Sequence, residues 1–297
     1  MESKFIDWLN TQLSQQSAED CGIGDDCAVL PAASATAIQV ISTDSIVDQV
    51  HFDTRIHTPA EIGHKALAVN LSDIAAMGAT PSYAVVSLII PNHWKLELVK
   101  ELYLGILDLA DTFRTQIVGG DFNRHAGPLT VSITILGNAT STELKYRSGT
   151  KYGDAIYVSG PLGGSIHGHH ISFQPQIALG LELAKCPAVH AITDITDGLV
   201  IDLASLLTDV LGAELNEDAI PLRDTIANRS DAIHSALYDG EDFELLFTVA
   251  PEFELDFNST AQPTSIQRIG TINDSGEITL VASDGQIRQL SKKGYQH

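Results

Sequence analysis

An acidic pair beside an apolar, strand-like segment is the feature that most constrains this sequence. Asp25 and Asp26 follow Gly24 and lead directly into Ala28-Val29-Leu30. Two adjacent carboxylates are costly for a fold unless they share a cation. We therefore expect the pair to lie where the protein holds a cation, at one end of a sheet.

Three further acidic stretches each follow an apolar run and are expected to end a strand. They are Ser42-Thr43-Asp44, Gly119-Gly120-Asp121 and Asp194-Ile195-Thr196-Asp197-Gly198. Open sheets build their sites where strands stop, so these side chains are expected to meet. Mg²⁺ prefers such oxygen ligands and usually shares its shell with substrate phosphates. The pattern predicts a magnesium site.

Length and charge bound the class of protein. The chain has 297 residues, 44% of them hydrophobic, and a formal net charge of −21. That length fits two domains better than one. No cluster of Lys and Arg is present to displace phosphate counterions, which argues against a nucleic-acid partner. The negative charge either marks a metal-dependent site for anions or serves solubility alone.

The N-terminal residues and the cysteines suggest a cytoplasmic protein. Residues 1–9 form an amphipathic helical pattern without the basic and apolar regions of a signal peptide. No apolar stretch approaches the roughly 18 residues of a membrane span, so no membrane partner is expected. Cys21, Cys27 and Cys186 lack CxxC spacing, which argues against a disulfide framework or a zinc site.

Strands and helices alternate along the chain, which predicts an α/β layer architecture. Helices are predicted at 59–77, 94–113, 175–184 and 198–211, and strands at 37–41, 45–52, 83–90, 129–136, 155–158, 191–193, 243–249, 266–272 and 277–281. The small polar stretch 137–142 suits a domain boundary. We therefore predict domains at residues 1–140 and 141–297.

The first of these helices carries a candidate metal ligand. Asn70 and Asp73 share one face with Ala66 and Met77, at spacings of a helical repeat. A carboxylate among small and apolar neighbours needs a partner. Asp73 is therefore a metal ligand, or else it forms a salt bridge or cap inside the core.

Several familiar motifs are absent. The sequence holds no GxxxxGK[ST] phosphate loop, no GxSxG elbow and no HExxH, and Gly22-Ile23-Gly24 lacks the third glycine of a dinucleotide site. His167, His169 and His170 cluster between glycines, which is more typical of a surface turn than of a metal site. The segment 239–247 reads as a turn leading into a strand, and spacing leaves open whether Glu241 faces a ligand.

Taken together, these elements resemble the thiamine-monophosphate kinase family. The motifs that carry the resemblance are Gly22-Ile23-Gly24-Asp25-Asp26-Cys27-Ala28, Ser42-Thr43-Asp44, His51-Phe52, the helix segment 65–79, Gly119-Gly120-Asp121, Arg147-Ser148-Gly149, residues 194–198 and Gly240-Glu241-Asp242-Phe243-Glu244. The helix segment with the Gly-Gly-Asp turn is specific for the superfamily that also holds aminoimidazole ribonucleotide synthetase. The 240–244 segment points to the kinase branch.

The resemblance implies a two-domain α/β (α+β) fold like that of aminoimidazole ribonucleotide synthetase. It also implies ATP-dependent phosphorylation of thiamine monophosphate to thiamine diphosphate by direct transfer, with several Mg²⁺ ions. The N-terminal domain would bind ATP and Mg²⁺ and form a homodimer through its strands, and the C-terminal domain would be α/β.

Carried over position by position, the resemblance implies roles for individual residues. The metal ligands would be Asp26, Ser42, Thr43, Asp44, Asp73, Asp121, Asp194 and Asp197. ATP would contact Gly120, Asp121, Arg147 and Thr196, and thiamine monophosphate would contact His51, Glu241 and Tyr295. The residues closest to the chemistry would be Asp44, Asp121 and Arg147.

The sequence departs from the family between Gly164 and Gly180, where the usual arginines are replaced by His169-His170-Ile171-Ser172-Phe173-Gln174-Pro175-Gln176. Two alternatives to the kinase stay open. One is another ATP-dependent enzyme of the superfamily, such as an aminoimidazole ribonucleotide or selenophosphate synthetase. The other is a non-enzymatic protein that binds divalent cations, which would leave Arg147 and Glu241 without a role.

Overall fold

The computed structural model describes residues 25–31, 37–140, 142–253 and 266–291. The N-terminal helical pattern, the glycines Gly22 and Gly24, and Tyr295 lie outside the described residues.

A five-stranded sheet forms the first half of the chain. Its strands are β1 (Ala28–Pro31), β2 (Ala37–Val47), β3 (Thr80–Pro91), β4 (Gln116–His125) and β5 (Thr130–Thr140), in the order β1-β2-β5-β3-β4. Strands β3 and β4 run parallel and the other neighbours run antiparallel.

A seven-stranded sheet forms the second half. Its strands are β6 (Ala155–Val158), β7 (Val189–Asp194), β8 (Gly212–Asn216), β9 (Leu245–Val249), β10 (Gln267–Asn273), β11 (Ile278–Val281) and β12 (Ile287–Gln289), in the order β12-β11-β8-β10-β6-β9-β7. Only the pair β8–β11 is parallel within this described sheet.

Six α-helices are described. They are α1 (Pro59–Ala76), α2 (Leu96–Thr112), the single turn α3 (His169–Ser172), α4 (Ile177–Lys185), α5 (Leu199–Ser205) and α6 (Ala232–Tyr238). No helix among the described residues is both long and apolar enough to cross a membrane.

Helix α1 is the centre of the molecule. Thr58 and Glu61 form a capping box at its start, Pro59 occupies its first turn, and Gly78 takes a φ of 65° just past its end. The helix is buried on nearly every side, because it contacts α2 and β5 of the first half and α4 and β7 of the second. One apolar cluster therefore joins the two halves.

The structure corrects two of the predicted strand ends. Strand β2 runs without interruption through Thr43 and Asp44, and β4 continues past Asp121 to His125. In both places the backbone stays paired with a neighbouring strand while the polar side chains stay exposed. Of the four acidic stretches, the one beginning at Asp194 does end a strand.

Other elements also differ from the prediction. Helix α5 stops at Ser205 rather than Leu211, because i→i−3 hydrogen bonds at Leu206 and Leu207 tighten the chain into the turn that leads to β8. Strands β8 and β12 and helix α6 were not predicted. The predicted layers of strands and helices are present, as two mostly antiparallel sheets packed with helices, which is an α+β architecture.

Helices α1 and α2 approach each other at two glycines. A Cβ atom at Gly63 would lie 1.9 Å from the carbonyl oxygen of Leu102, and one at Gly105 would lie 2.0 Å from that of Ala60. Both contacts are with backbone atoms, so the helices would have to separate to admit a methyl group.

We therefore predict that Gly63→Ala lowers the free energy of unfolding by about 2 kcal/mol or more, despite the better helix propensity of alanine. Urea denaturation measures the change. Asp108→Ala on the exposed side of α2 is the control and should stay within about 0.5 kcal/mol of the wild type. Equal stability of the Gly63→Ala protein would show that the two helices tolerate a wider spacing.

Candidate active site

Three carboxylates from three elements converge between the two sheets. Asp26 precedes β1, Asp73 lies in the last turn of α1 and Asp194 ends β7. Each offers one ligand atom, and these atoms all lie within 4.8 Å of one another. The fold thus brings together acidic residues that are far apart in the sequence.

Neighbouring donors hold this carboxylate cluster in place. Ser42 donates to Asp73, and Ser72 donates to Asp194 over 2.5 Å. The Arg147 guanidinium lies 2.6 Å from Asp26. The backbone N–H of Arg147 also donates to Asp25 over 2.6 Å, so the acidic pair and Arg147 form one unit.

The cluster is electrostatically costly. Burial, followed by the charges of Asp44 and Asp194, raises the pKa of Asp73 well above its ordinary value. Burial, followed by the charge of Asp26, also raises the pKa of Asp194 well above its ordinary value. A cation bound among these carboxylates would relieve both effects. Three oxygen ligands within reach of one ion fit a hard divalent cation such as Mg²⁺.

The cluster forms one end of a cavity of about 490 Å³, here called the acidic cavity. Besides the cluster, it is lined by predicted site residues from several elements: Ser42, Thr43, Asp44, His51, Arg147, Thr196, Asp197 and Glu241. The structure therefore brings most of the predicted site residues together around one space.

Two predicted site residues lie elsewhere. Gly120 and Asp121 are on β4 and line a different groove, against α2. In the register of the sheet, Asp121 is opposite Ser87, Ser87 is opposite Ser132, and Ser132 is opposite Ser45. Asp121 is thus three strands, or about 14 Å, from the β2 residues of the acidic cavity.

Asp202 positions the loop that carries Thr196 and Asp197. Its Oδ2 atom accepts the backbone N–H groups of Thr196, Asp197 and Gly198 at 2.9, 3.0 and 3.1 Å. Burial outweighs these bonds and raises the pKa of Asp202 to about 8. The sequence analysis missed this residue, although an acidic side chain in the first turn of a helix that follows a glycine was a usable signal.

Lys65 is a second residue that the sequence analysis missed. Its ammonium group is fully buried and donates to Glu241 at 2.7 Å and to the carbonyl oxygen of His51 at 2.6 Å. Burial lowers the pKa of Lys65, while the carboxylate of Glu241 opposes that shift. The two predicted substrate-binding residues in the described chain are therefore joined by one buried cation.

The backbone that presents Glu241 is in a rare conformation. Glu241 and Phe243 take φ values of 54° and 51°, in the left-handed region that side chains other than glycine seldom adopt. The backbone N–H of Glu241 donates to Thr196 over 2.7 Å, and that of Phe243 donates to Ile195 over 2.8 Å. Arg223 forms an ion pair of 2.9 Å with the buried Asp242, which holds the same segment in place.

Cys27 borders the cluster without taking part in it. Its thiol is buried, and burial together with the charge of Asp73 raises its pKa well above the ordinary value. The thiolate form is therefore disfavoured, which argues against a role for Cys27 as a nucleophile or as a ligand of a hard cation.

The raised carboxyl pKa values predict how stability depends on pH and Mg²⁺. A carboxyl whose pKa is raised on folding stabilises the protein below the unfolded value near 3.8, and this contribution is lost as pH rises through the folded pKa. The metal-free protein should therefore lose stability between mildly acidic and neutral pH, and Asp73→Asn should flatten that loss.

Thermal unfolding between mildly acidic and neutral pH, with EDTA and with millimolar Mg²⁺, checks this prediction. Mg²⁺ should stabilise the wild type, by about 2.7 kcal/mol at a hundred times its Kd, and should stabilise Asp73→Asn much less. The control Asp111→Asn, on the surface of α2, should behave as the wild type. An unchanged Mg²⁺ response in Asp73→Asn would exclude Asp73 from the metal site.

Comparisons with known proteins identify the family. The family models of AIR synthase related proteins match residues 24–139 with the N-terminal domain and residues 129–283 with the C-terminal domain. The thiamine-monophosphate kinase of Rhodopirellula baltica is 37% identical over 309 residues, covering 100% of this chain and 97% of that protein. The Bacillus subtilis thiamine-monophosphate kinase is 30% identical, covering 100% and 99%.

A solved structure gives the same result. AaThiL complexed with AMPPCP and TMP superposes with a TM-score of 0.84 at 25% identity, covering 99% of this chain and 96% of that one. The two-domain α+β fold expected from the sequence is thereby confirmed. The chain belongs to the AIR synthase related proteins and, among them, to the thiamine-monophosphate kinase family.

Proposed function

We propose that this protein transfers the γ-phosphoryl group of ATP directly to the phosphate of thiamine monophosphate, giving ADP and thiamine diphosphate. The carboxylate cluster of Asp26, Asp73 and Asp194 carries this proposal, because three converging acidic side chains suit a divalent cation shared with phosphates. Full-length similarity to thiamine-monophosphate kinases supports the choice of substrates.

The residues around the cluster fit several Mg²⁺ ions. Asp26, Asp73 and Asp194 would hold the metal, with Asp44, Ser42, Thr43 and Asp197 on the same cavity wall. Bound Mg²⁺ neutralises phosphate charge and so lowers the repulsion between the two substrates. Asp121 would join this set only if the nucleotide reaches from the acidic cavity toward β4.

The transfer needs positioning rather than acid or base catalysis, because a phosphate nucleophile is already ionised at neutral pH. Arg147 offers a planar fork for phosphate oxygens. Asp26 holds that fork at 2.6 Å, and Asp26 with the other acidic neighbours raises its pKa against the effect of burial, so the guanidinium stays charged. Thr196 lies across the cavity, on the loop fixed by Asp202.

The acceptor would lie at the opposite end of the cavity, at His51 and Glu241. The buried Lys65 holds both residues, which gives this end a fixed geometry and a cation near the incoming phosphate. Tyr295, the third residue proposed for the acceptor, lies outside the described residues. A protein that only binds metal would have no use for this arrangement, which favours an enzyme over a simple cation-binding protein.

We also propose that the protein forms a homodimer through β4 and α2. Strand β4 is an edge strand, and its Val118 and Phe122 are 58% and 53% exposed. Across the groove, Leu104 of α2 is 56% exposed. An apolar edge strand left open is a site for association or aggregation, so a second copy is expected to cover it. The cytoplasmic location expected from the sequence stays a prediction.

The kinase proposal predicts ADP release that depends on both Mg²⁺ and thiamine monophosphate. Asp44→Asn should lower kcat by about a hundredfold or more while the circular dichroism spectrum stays unchanged. The loss of a carboxylate that helps to hold Mg²⁺ weakens the neutralisation of phosphate charge by the metal in the transition state. Asp121→Asn should do the same if β4 contributes to the nucleotide site. Glu143→Gln, at the surface between the halves, is the control.

The outcomes separate the alternatives. ADP release without thiamine monophosphate, stimulated by another acceptor, would indicate a different member of the superfamily. Mg²⁺ binding without any ADP release would leave a cation-binding protein. Full activity of Asp121→Asn would remove β4 from the nucleotide site without affecting the rest of the proposal.

The dimer proposal predicts that Phe122→Glu dissociates the protein into monomers, because a charge replaces an apolar side chain in the interface. Sedimentation velocity measures the mass. Val210→Glu is the matched control, since Val210 is 71% exposed but lies in the second half of the chain. A monomeric wild type, or a dimeric Phe122→Glu protein, would contradict the proposal.

A further inference from the structure

Strand β7 contains a bulge at His190. Val189 pairs with Val249 of β9 and Ala191 pairs with Thr248, so His190 has no partner residue on β9. A bulge re-aims the side chain of the extra residue and takes its backbone out of the ladder, and such bulges are frequent next to active sites. The side chain and the carbonyl group of His190 are therefore available for contacts other than sheet pairing.

The segment 147–151, here called the arginine turn, lies directly on this bulge. It begins with the single 3₁₀ turn Arg147–Gly149. A Cβ atom at Gly149 would lie 1.8 Å from the carbonyl oxygen of His190. That contact is with the backbone, so the segment comes this close only because residue 149 has no side chain. The bulge thus sets the distance between the arginine turn and the sheet.

The imidazole of His190 links the arginine turn to a buried carboxylate. Its Nδ1 lies 2.9 Å from both side-chain oxygens of Asp154, and its Nε2 lies 3.1 Å from the ammonium group of Lys151. A carboxylate only accepts and an ammonium only donates, so Nδ1 carries the proton and Nε2 accepts from Lys151. Asp154 is 1% exposed, and a carboxylate buried to this extent needs such partners.

Asp154 also holds the backbone at the end of the arginine turn. Its Oδ2 accepts the backbone N–H of Lys151 at 2.9 Å, and its own N–H donates to the carbonyl oxygen of Lys151 at 3.2 Å. Gly153 closes this tight turn with a φ of 84°. Ile272 of β10 accepts from the N–H of Gly153 at 3.0 Å and donates to the carbonyl oxygen of Asp154 at 2.8 Å. This end of the segment is therefore tied to both β7 and β10.

The other end of the arginine turn is held by the acidic pair. The backbone N–H of Arg147 donates to Asp25, and its guanidinium engages both oxygens of Asp26, at 2.6 and 3.2 Å. A Mg²⁺ ion held by the carboxylate cluster would compete with the guanidinium for those same oxygens. Once the metal and ATP bind, the contacts at the His190 end are the ones that stay unchanged.

We propose that His190, together with Asp154 and Lys151, is a positioning residue for Arg147. In this proposal, which rests on the proposed kinase function, the arginine turn stays anchored at its His190 end while the guanidinium exchanges Asp26 for a phosphate oxygen of ATP. His190, Asp154 and Lys151 do not line the acidic cavity, so they act through Arg147 and contact neither the metal nor the substrates.

A double-mutant cycle tests this assignment without requiring turnover. The measurement is the Kd of the ATP analogue AMPPCP in millimolar Mg²⁺, by isothermal titration calorimetry. His190→Phe keeps an aromatic ring and removes both hydrogen bonds, and it should raise the Kd about threefold to tenfold, the range for one net hydrogen bond. In an Arg147→Ala protein, which should already bind AMPPCP more weakly, His190→Phe should change the Kd by less than about twofold.

Two further variants complete the experiment. Lys151→Met keeps the apolar stem and removes only the donor to Nε2, so it should raise the Kd by a smaller factor. Lys151 is exposed, so this variant decides the matter if His190→Phe does not fold. His93→Phe, in the exposed loop between β3 and α2, is the matched control and should leave the Kd unchanged. None of these variants should change the KM for thiamine monophosphate.

The outcomes separate this inference from the proposed function. A wild-type Kd in both His190→Phe and Lys151→Met would overturn the inference, and so would an increase that persists in full in the Arg147→Ala protein. An equal rise in the KM for thiamine monophosphate would also overturn it, since it would indicate a general structural role. A wild type that binds AMPPCP but releases no ADP with thiamine monophosphate would overturn the proposed function alone, and the cycle would still decide the role of His190.

Discussion

The position of helix α1 between the two sheets is the constraint on which the site depends. Because successive helical residues point about 100° apart, Asp73 faces Ser42 of the first sheet while Ser72 faces Asp194 of the second. Lys65 lies seven residues before Ser72, two turns along nearly the same face, and meets Glu241 of the second half. One buried helix thus sets both ends of the acidic cavity, about 10 Å apart along its axis.

The fold accepts an electrostatic cost to build this arrangement. The raised pKa values of Asp73 and Asp194 mean that their charged forms are disfavoured without a cation, so the empty cluster lowers stability at neutral pH. The apolar packing of α1 offsets that cost, because the helix is held by the core that joins both halves. In the proposed function, the metal and the phosphates would therefore find ligands already in position, and little reorganisation would be required.

The sequence predicted which acidic side chains lie together better than it predicted the strand ends that carry them. Acidic residues beside apolar runs indicated that Asp26, Asp44 and Asp194 would lie together, and all three line the acidic cavity. The prediction that a strand ends at each acidic stretch was wrong for β2 and β4, because backbone pairing with neighbouring strands continues past their polar residues. Lys65 was missed because its partner Glu241 is 176 residues away in the sequence and only the folded chain brings the two together. Asp202 was missed although its position in the first turn of a helix was a local signal. His170 was predicted to lie in a surface turn, whereas it is buried. The local sequence could not show that its helix packs against α1.

Backbone hydrogen bonds add a second link between the proposed metal end and the proposed acceptor end of the acidic cavity. The loop of Thr196 and the segment of Glu241 exchange bonds through Glu241 N–H to Thr196, Phe243 N–H to Ile195 and Ile195 N–H to Glu244, at 2.7, 2.8 and 2.9 Å. Neither loop can shift without the other, so the left-handed conformation at Glu241 is held by the same contacts that fix Thr196. In the proposed phosphoryl transfer, which depends on the alignment of two phosphates, such coupling would keep the donor and the acceptor in line.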